Sequence, residues 1–275
     1  MRVENLRFGY PGLCGRRGKC DGCARNARCR SPGETVLRGV SFGLRSGAVT
    51  TLMGANACGK TTLLLLMTKN LRPDDGRILL DGTDIADLGL RDFARRCAVV
   101  HQRNSAPDDI PVRKLVGYGR IPHLAPLRGH GRADDERVEW ALDATGITGI
   151  ADRAMGVLSG GQRQRAFIAM ALAQDTKLLL LDEPTTFLDV RHQVETLRLV
   201  RELNGRHGIT VLMVLHDINQ ALMYSDEIVG LKDGRVLAQG PPGEVITPES
   251  VYELYGVRLE VHSGGGRPYV LPVSL

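Results

Sequence analysis

Three short stretches of the 275-residue chain carry residue types that together could bind and cleave a phosphoanhydride. The first, Gly54-Ala55-Asn56-Ala57-Cys58-Gly59-Lys60-Thr61, fits the pattern G-x-x-x-x-G-K-[ST]. Such a loop turns several backbone N–H groups onto a phosphate, and the helix after it adds its positive end. Gly59 lets the backbone approach with no Cβ in the way, and Lys60 supplies a point charge for β- and γ-phosphates. The Thr61 hydroxyl is a hard oxygen ligand for Mg²⁺. The second stretch is Leu178-Leu179-Leu180-Leu181-Asp182-Glu183, an apolar run ending in two carboxylates. Asp182 can hold Mg²⁺ through water, and Glu183 can orient and deprotonate an attacking water. The third, Leu158-Ser159-Gly160-Gly161-Gln162, places a serine and two glycines before an apolar-periodic helix. That is a second N-terminal anion cradle, or on its own an ordinary N-cap. One chain holding one nucleotide has no use for two cradles, whereas two chains facing each other do.

The elements that must position these residues alternate between strand and helix, which predicts an α/β fold with a mainly parallel sheet. Val3 to Tyr10 and Thr35 to Leu44 read as strands flanking an insertion, and Ala48 to Met53 as a short apolar strand running into the glycine–lysine loop. Thr61 to Lys69 is helical in character, and Arg77 to Asp81 is a strand closed by Asp81-Gly82. Residues 104–162 hold two helical patterns, Pro111 to Gly119 and Arg132 to Gly146, around the irregular stretch Arg120 to Gly131, and read as a helical subdomain inserted in the core. Leu178 to Leu181 and Ile209 to Leu215 read as strands buried on both faces, with the amphipathic helix Val190 to His207 between them. Ile228 to Leu231 and Arg235 to Gln239 form a hairpin around Asp233-Gly234, and the Gly/Pro-rich tail from Ser263 carries no assignment.

Composition narrows the class. No apolar run approaches the ~18–20 residues that span a bilayer, and no basic-then-apolar leader opens the chain. The net charge of +5 is concentrated: residues 11–33 contain six bases and one acid (Asp21), while the rest of the chain balances. A nucleic-acid binder spreads its excess over a docking face, so no nucleic-acid partner is expected. The same 23 residues hold Cys14, Cys20, Cys23 and Cys29, while Cys58 and Cys97 stand apart.

Taken together, these motifs resemble the ATP-binding subunits of ABC transporters over roughly residues 1–10 and 34–260. The resemblance implies a P-loop NTPase (RecA-like) core with an antiparallel β subdomain and an inserted α-helical subdomain, and a single such domain over residues 1–262. Gly54 to Thr62 (Gly54, Ala55, Asn56, Ala57, Cys58, Gly59, Lys60, Thr61 and Thr62) match the Walker A loop, Leu178 to Asp182 match Walker B, and Glu183 matches the catalytic base. Ser159, Gly160, Gly161 and Gln162 fall in the family signature, which closes on the ATP held by the opposite subunit. Gln102 matches the Q-loop glutamine linking Mg²⁺ to the membrane partner, Leu188-Asp189 the D-loop, and His216 the switch histidine near the γ-phosphate. Tyr10 matches the aromatic that stacks on adenine. In isolation Gln102, His216 and Tyr10 are unremarkable; their order and spacing raise them. Val116 to His123, Leu158 to Asp189, His192-Gln193-Val194 and Leu215 to Ala221 resemble the branch importing ferric siderophores, haem and cobalamin, the siderophore members most of all.

The implied protein is an ATPase at the cytoplasmic face of the cell membrane, attached through permease subunits and working as two copies, with a substrate-binding protein as an indirect partner. Its cofactors are ATP and Mg²⁺. The alternatives are a soluble, non-transporting ABC ATPase and a nucleotide sensor without turnover; Glu183 and His216 together speak against the sensor. Two features depart from the family. Ala55 and Ala57 stand where Pro and Gly are usual, and a left-handed backbone at position 57 would cost up to ~1 kcal/mol with alanine. Cys58 sits beside a helix N-terminus, a setting that lowers a thiol pKa, or is a small filler. The spacing Cys14-x₅-Cys20-x₂-Cys23-x₅-Cys29 suits four-thiolate binding of Zn²⁺ or an iron–sulfur cluster, and otherwise a loop of free thiols.

Overall fold

The computed structural model of the chain describes residues 1–11, 34–124, 131–264 and 267–272; Cys14, Cys20, Cys23 and Cys29 lie outside the described residues. The chain opens with strands β1 (Arg2–Gly9) and β2 (Thr35–Gly43), then β3 (Val49–Met53) and helix α1 (Lys60–Met67). Strands β4 (Asp75–Leu80) and β5 (Thr83–Asp84) follow, then α2 (Leu90–Ala94) and β6 (Cys97–Val100). Helices α3 (Val112–Gly117), α4 (Arg132–Ala144) and α5 (Gly160–Ala173) come next. After them run β7 (Leu178–Leu181), α6 (Val190–His207), β8 (Thr210–Val214), α7 (Ile218–Tyr224) and the hairpin β9 (Glu227–Lys232) with β10 (Arg235–Gly240). The chain closes with α8 (Pro242–Val245), α9 (Pro248–Tyr255) and the strands β11 (Leu259–Gly264) and β12 (Arg267–Pro272).

Two sheets carry the fold. The larger runs β10-β9-β3-β8-β7-β6, parallel except for the β10 edge, and the smaller, β2-β1-β4-β5, is antiparallel. The apolar run of β7 is buried on both sides because its alternate residues serve two cores. Leu179 and Leu181 join the core under α3 to α6, whereas Leu178 and Leu180 join the one shared with α1 and the antiparallel sheet. Val211 and Met213 of β8 face the first core and Leu212 and Val214 the second. Full burial of both faces is why Leu178–Leu181 and Val211–Val214 read as unbroken Leu, Val and Met.

Register brings the chemistry together. Leu52 lies opposite Val214, Leu181 opposite Met213, and Val100 opposite Leu181. The residues that follow β3, β6, β7 and β8 therefore leave the sheet along one edge, the carboxyl edge where α/β sheets bind ligands.

Two segments differ from the sequence reading. The stretch beginning at Arg120 starts inside a 3₁₀ run, Tyr118–His123, that accommodates Pro122. Gly119 there packs on α5 so closely that a Cβ would lie 2.1 Å from the Met170 carbonyl oxygen. The tail from Ser263 contributes to β11 and β12. Its anchor is Asn219 of α7, which donates to the Val270 carbonyl (3.1 Å) and accepts the Val270 N–H (2.8 Å).

Candidate functional site

The glycine–lysine loop leaves β3 at Gly54 and enters α1 at Gly59. Its shape depends on glycine at both ends. Gly54 has φ 149° and a Cβ there would lie 2.1 Å from the Leu231 carbonyl oxygen; Gly59 has φ 107° and a Cβ there would lie 2.8 Å from a Leu37 methyl. Between them Ala57 is at φ 63°, the left-handed conformation that costs an alanine about 1 kcal/mol. Asn56, Ala57 and Thr61 are exposed, while Lys60 and Thr62 are buried. The Lys60 ammonium donates to the carbonyls of Gly54 (2.7 Å) and Ala55 (2.8 Å) inside the loop's own curve.

Of the two readings of Cys58, the structure supports the small filler. Burial pushes its thiol up, the neighbouring Lys60 charge only partly opposing. The desolvation of a side chain turned into the core outweighs the helix end, so Cys58 is a core filler and not an activated thiolate.

The carboxylates of β7 part company at once. Asp182 carries on the line of the strand, its N–H donating to the Val100 carbonyl at 2.9 Å. Burial raises its carboxyl above the ordinary range and the Glu183 charge adds to this, with His101 opposing. Glu183 sits at φ 48°, a strained conformation for a residue with a Cβ, and this turn re-aims its side chain. One Glu183 oxygen lies 2.6 Å from His216 Nε2. The other accepts from the Thr186 hydroxyl at 2.9 Å and from the Gln102 side-chain amide. Glu183, His216 and Gln102, which are far apart in sequence, thus form one cluster.

Tyr10 is part of the loop's surroundings. Its ring stands edge-on to Phe8 at 5.0 Å between centroids, and its hydroxyl lies 3.4 Å from that of Thr62. Tyr10 is 43% exposed.

Ser159 and Gln162 cap α5 reciprocally: the Ser159 hydroxyl accepts the Gln162 N–H (3.3 Å) and the Gln162 side-chain oxygen accepts the Ser159 N–H (3.1 Å). Gly160 is exposed, and Gly161 is pressed against the His192 ring, where a Cβ would lie 2.0 Å from Cδ2. The cavity beside Ser159, Gly161 and Gln162 is shared with Arg165, His192 and Glu195. The cavity beside Glu183 and His216 is shared with Thr185, Thr186, Gln193 and Gln220, so the two have no residue in common.

The residues present fit a magnesium-bearing triphosphate. The loop's glycines form a cradle that a Cβ would fill, and Lys60 is a buried positive charge within it. Thr61 and Asp182 offer hard oxygens, and Gln102, which donates to Glu183 through its nitrogen, keeps its carbonyl oxygen as an acceptor. A carboxylate raised by burial, as Asp182 is, is stabilised by a nearby cation. Among the described residues, no group of three or more His, Cys, Asp or Glu side chains is arranged to hold a metal ion; the four cysteines of the thiolate expectation lie outside the described residues.

Sequence reasoning gave no individual role to three residues that the structure brings to the site. Thr186 braces Glu183 from within the same turn, its N–H donating to the Glu183 carbonyl at 3.2 Å. His192 binds Asp189 through Nδ1 at 2.9 Å while its ring fills the space over Gly161. Tyr255, more than 200 positions away, accepts the Gly54 N–H at 3.2 Å. Thr186, three residues beyond Glu183, carried a signal of spacing; His192 carried only its place in the branch resemblance, and Tyr255 carried none.

Comparison with known proteins agrees with this geometry. The ABC transporter family model matches residues 37–186. The chain is 42% identical over 242 residues to the ferric enterobactin transport ATP-binding protein FepC of Escherichia coli (strain K12), covering 87% of this chain and 89% of that one. It is 42% identical to the iron(3+)-hydroxamate import ATP-binding protein FhuC of Bacillus subtilis (strain 168), covering 83% and 85%. Among solved structures, an inward-facing ABC transporter assigned to the metal-chelate type superposes with a TM-score of 0.79 at 27% identity, covering 99% of this chain and 96% of that one. The protein CbiO1 of Clostridium perfringens, part of an ABC transporter complex, superposes with a TM-score of 0.73 at 30% identity, covering 92% of each. The chain belongs to the ABC transporter family, as one of its ATP-hydrolysing subunits.

Proposed function

We propose that this chain drives import of an iron–chelate complex, of the ferric-siderophore class, through separate permease subunits. In this reading two copies bind two ATP molecules between them at the cytoplasmic face of the membrane, and cleavage of ATP separates them. The observation that carries the reading is the convergence of Lys60, Gln102, Asp182, Glu183 and His216 at one edge of the parallel sheet. The cargo class is supported by the relatives, whose names include ferric enterobactin, petrobactin and iron(3+)-hydroxamate transport or import. Attachment through a partner fits a chain in which no described helix is long and apolar enough to cross a membrane.

The chain's own groups divide the work. Tyr10 stacks on the adenine, Gly54 opens the loop, and the amides of Ala55, Asn56, Ala57, Cys58, Gly59 and Thr62 with Lys60 hold the phosphates. Lys60 balances the charge that spreads onto the γ-phosphoryl oxygens. Thr61, Asp182 and Gln102 would hold Mg²⁺, which supplies Lewis-acid neutralisation of the phosphate oxygens when bound. Glu183 receives the proton of the attacking water. His216 and Thr186 fix the direction in which Glu183 does so, through the 2.6 Å and 2.9 Å contacts. Ser159, Gly160, Gly161 and Gln162 act on the ATP of the opposite copy. The separation of their cavity from that of Glu183 within one chain supports this arrangement.

Glu183→Gln keeps the shape of the cluster and removes the base. ATP is expected to bind and to hold two copies together on size-exclusion chromatography, while hydrolysis falls by about 10²–10⁴-fold. Unchanged turnover would remove Glu183 from this role. For the cargo, cells lacking the chain should lose uptake of ferric siderophore and regain it with the native chain but not with Lys60→Ala. Intact siderophore uptake with lost haem uptake would move the chain to the haem branch.

A further inference from the structure

Tyr255 is the last residue of α9, and its hydroxyl reaches the first residue of the phosphate loop. Gly54 is held on both sides there. Its N–H donates to the Tyr255 hydroxyl at 3.2 Å, and its carbonyl accepts from the Lys60 ammonium at 2.7 Å. Gly54 is buried and lies against the Leu231 carbonyl so closely that no Cβ fits, which leaves the loop's origin little room to settle elsewhere.

The helix that delivers the hydroxyl is built to hold still. Thr247 and Ser250 cap its start reciprocally, the Thr247 hydroxyl accepting the Ser250 N–H (3.2 Å) and the Ser250 hydroxyl accepting the Thr247 N–H (2.9 Å). Pro248 occupies the first turn, and Gly256 at φ 72° ends the helix with its N–H on the Tyr252 carbonyl at 2.8 Å. Val251 and Leu254 are buried, and Leu254 packs on Gly230 of β9, the strand beside β3. The end of α9 is thereby tied to the strand next to the one that carries the loop. Burial pushes the phenol up to about 12, so it stays neutral and protonated across the working range of a cell.

We propose that Tyr255 is a positioning residue for the phosphate loop: by holding the Gly54 amide it sets where the loop begins, and so how Lys60 and the loop amides meet the phosphates of the nucleotide. This rests on the nucleotide reading given under Proposed function. Tyr255 touches no substrate in this account, and its effect passes through Gly54. The loop grips the β- and γ-phosphates in the ground state as well as in the transition state, so the effect belongs mainly to binding.

Tyr255→Phe removes one oxygen atom and keeps the ring. The expected result is a rise of about three- to tenfold in the Kd and KM for ATP, the usual worth of one hydrogen bond. The kcat at saturating ATP should change less than about twofold. Tyr252→Phe is the control, because that exposed tyrosine lies one turn earlier on the same helix and should leave KM unchanged. An unchanged KM in Tyr255→Phe overturns the proposal. So does a loss of thermal stability accompanied by equal losses in Tyr252→Phe, or a fall in kcat with KM constant. Lys60→Ala is run beside them: retention of ATP binding in that variant overturns the nucleotide reading itself, which keeps the two failures distinct.

Discussion

Gly161→Ala places a methyl carbon 2.0 Å from His192 Cδ2, 2.7 Å from Cγ and 2.9 Å from Nε2. Three ring atoms are struck at once, so a small rotation of the imidazole does not clear the clash. Nor is the ring free to swing away, because Nδ1 is held by both oxygens of Asp189 at 2.9 Å. Overpacking of this kind costs about 1–3 kcal/mol. With an unfolding entropy of about 2.1 cal/mol/K per residue, a 275-residue chain loses roughly 2–5 °C of Tm for that cost. His192→Ala alone should be milder. It gives up the contact between the ring and Asp189 but keeps the helix cap, which uses the His192 backbone N–H at 2.9 Å. The double variant removes the obstacle along with the clash and should recover most of the loss, giving a coupling of about 1–2 kcal/mol in a double-mutant cycle. Calorimetry of the four proteins measures this, and ATPase rates at saturating ATP show whether moving Ser159 and Gly160 with the clash also lowers turnover. Costs that add within about 0.5 kcal/mol would refute the idea that the imidazole sets the height of the Gly161 turn.

Two further predictions concern titration. Cys58 has its thiol raised by burial, so native protein at pH 8 should react with a small alkylating agent far more slowly than unfolded protein in urea; stoichiometric labelling of native Cys58 within minutes would refute the burial argument. Burial alone would raise the Asp226 carboxyl, but the Arg201 guanidinium and the Val49 N–H, both 2.8 Å away, outweigh it and hold the group below its ordinary value. A depressed native pKa stabilises above the unfolded value of about 3.9 and is lost as pH falls through the native one. Asp226→Asn should therefore lower Tm at pH 7, with the deficit shrinking progressively as pH falls below about 3.9, and a deficit that grows on acidification would contradict the sign.

What was legible in the sequence was what chemistry imposes locally. A phosphate loop must be glycine, lysine and hydroxyl in a row, and a strand buried on both faces must be continuously apolar, so Gly54 to Thr62 and Leu178 to Leu181 were readable from neighbours alone. Helix α6 was found to the residue because Asp189 caps one end and Gly208 the other. What was hidden depended on long-range contact. Tyr255 acquires meaning only because α9 packs on β9, and His192 only because α6 passes beneath the start of α5. Cys58 had two readings in the sequence, an activated thiol at a helix end and a small filler, and its membership of a buried core, which no neighbour in sequence reveals, decides for the filler. Gly264 to Gly266 obscured the β11–β12 hairpin by interrupting two short alternating segments.

The strand order has a consequence for biosynthesis. In the sheet, β8 lies between β3 and β7, although it is made after both. Until residues 210–214 are synthesised and slot into place, the half bearing Lys60 and the half bearing Gln102 and Glu183 have no shared strand, and His216 does not yet exist. A nascent chain stalled short of β8 can display a finished phosphate-loop sequence yet cannot assemble the apparatus that spends ATP. Contacts this distant along the polymer also form slowly, so hydrolytic competence arrives last, as the keystone strand closes the arch.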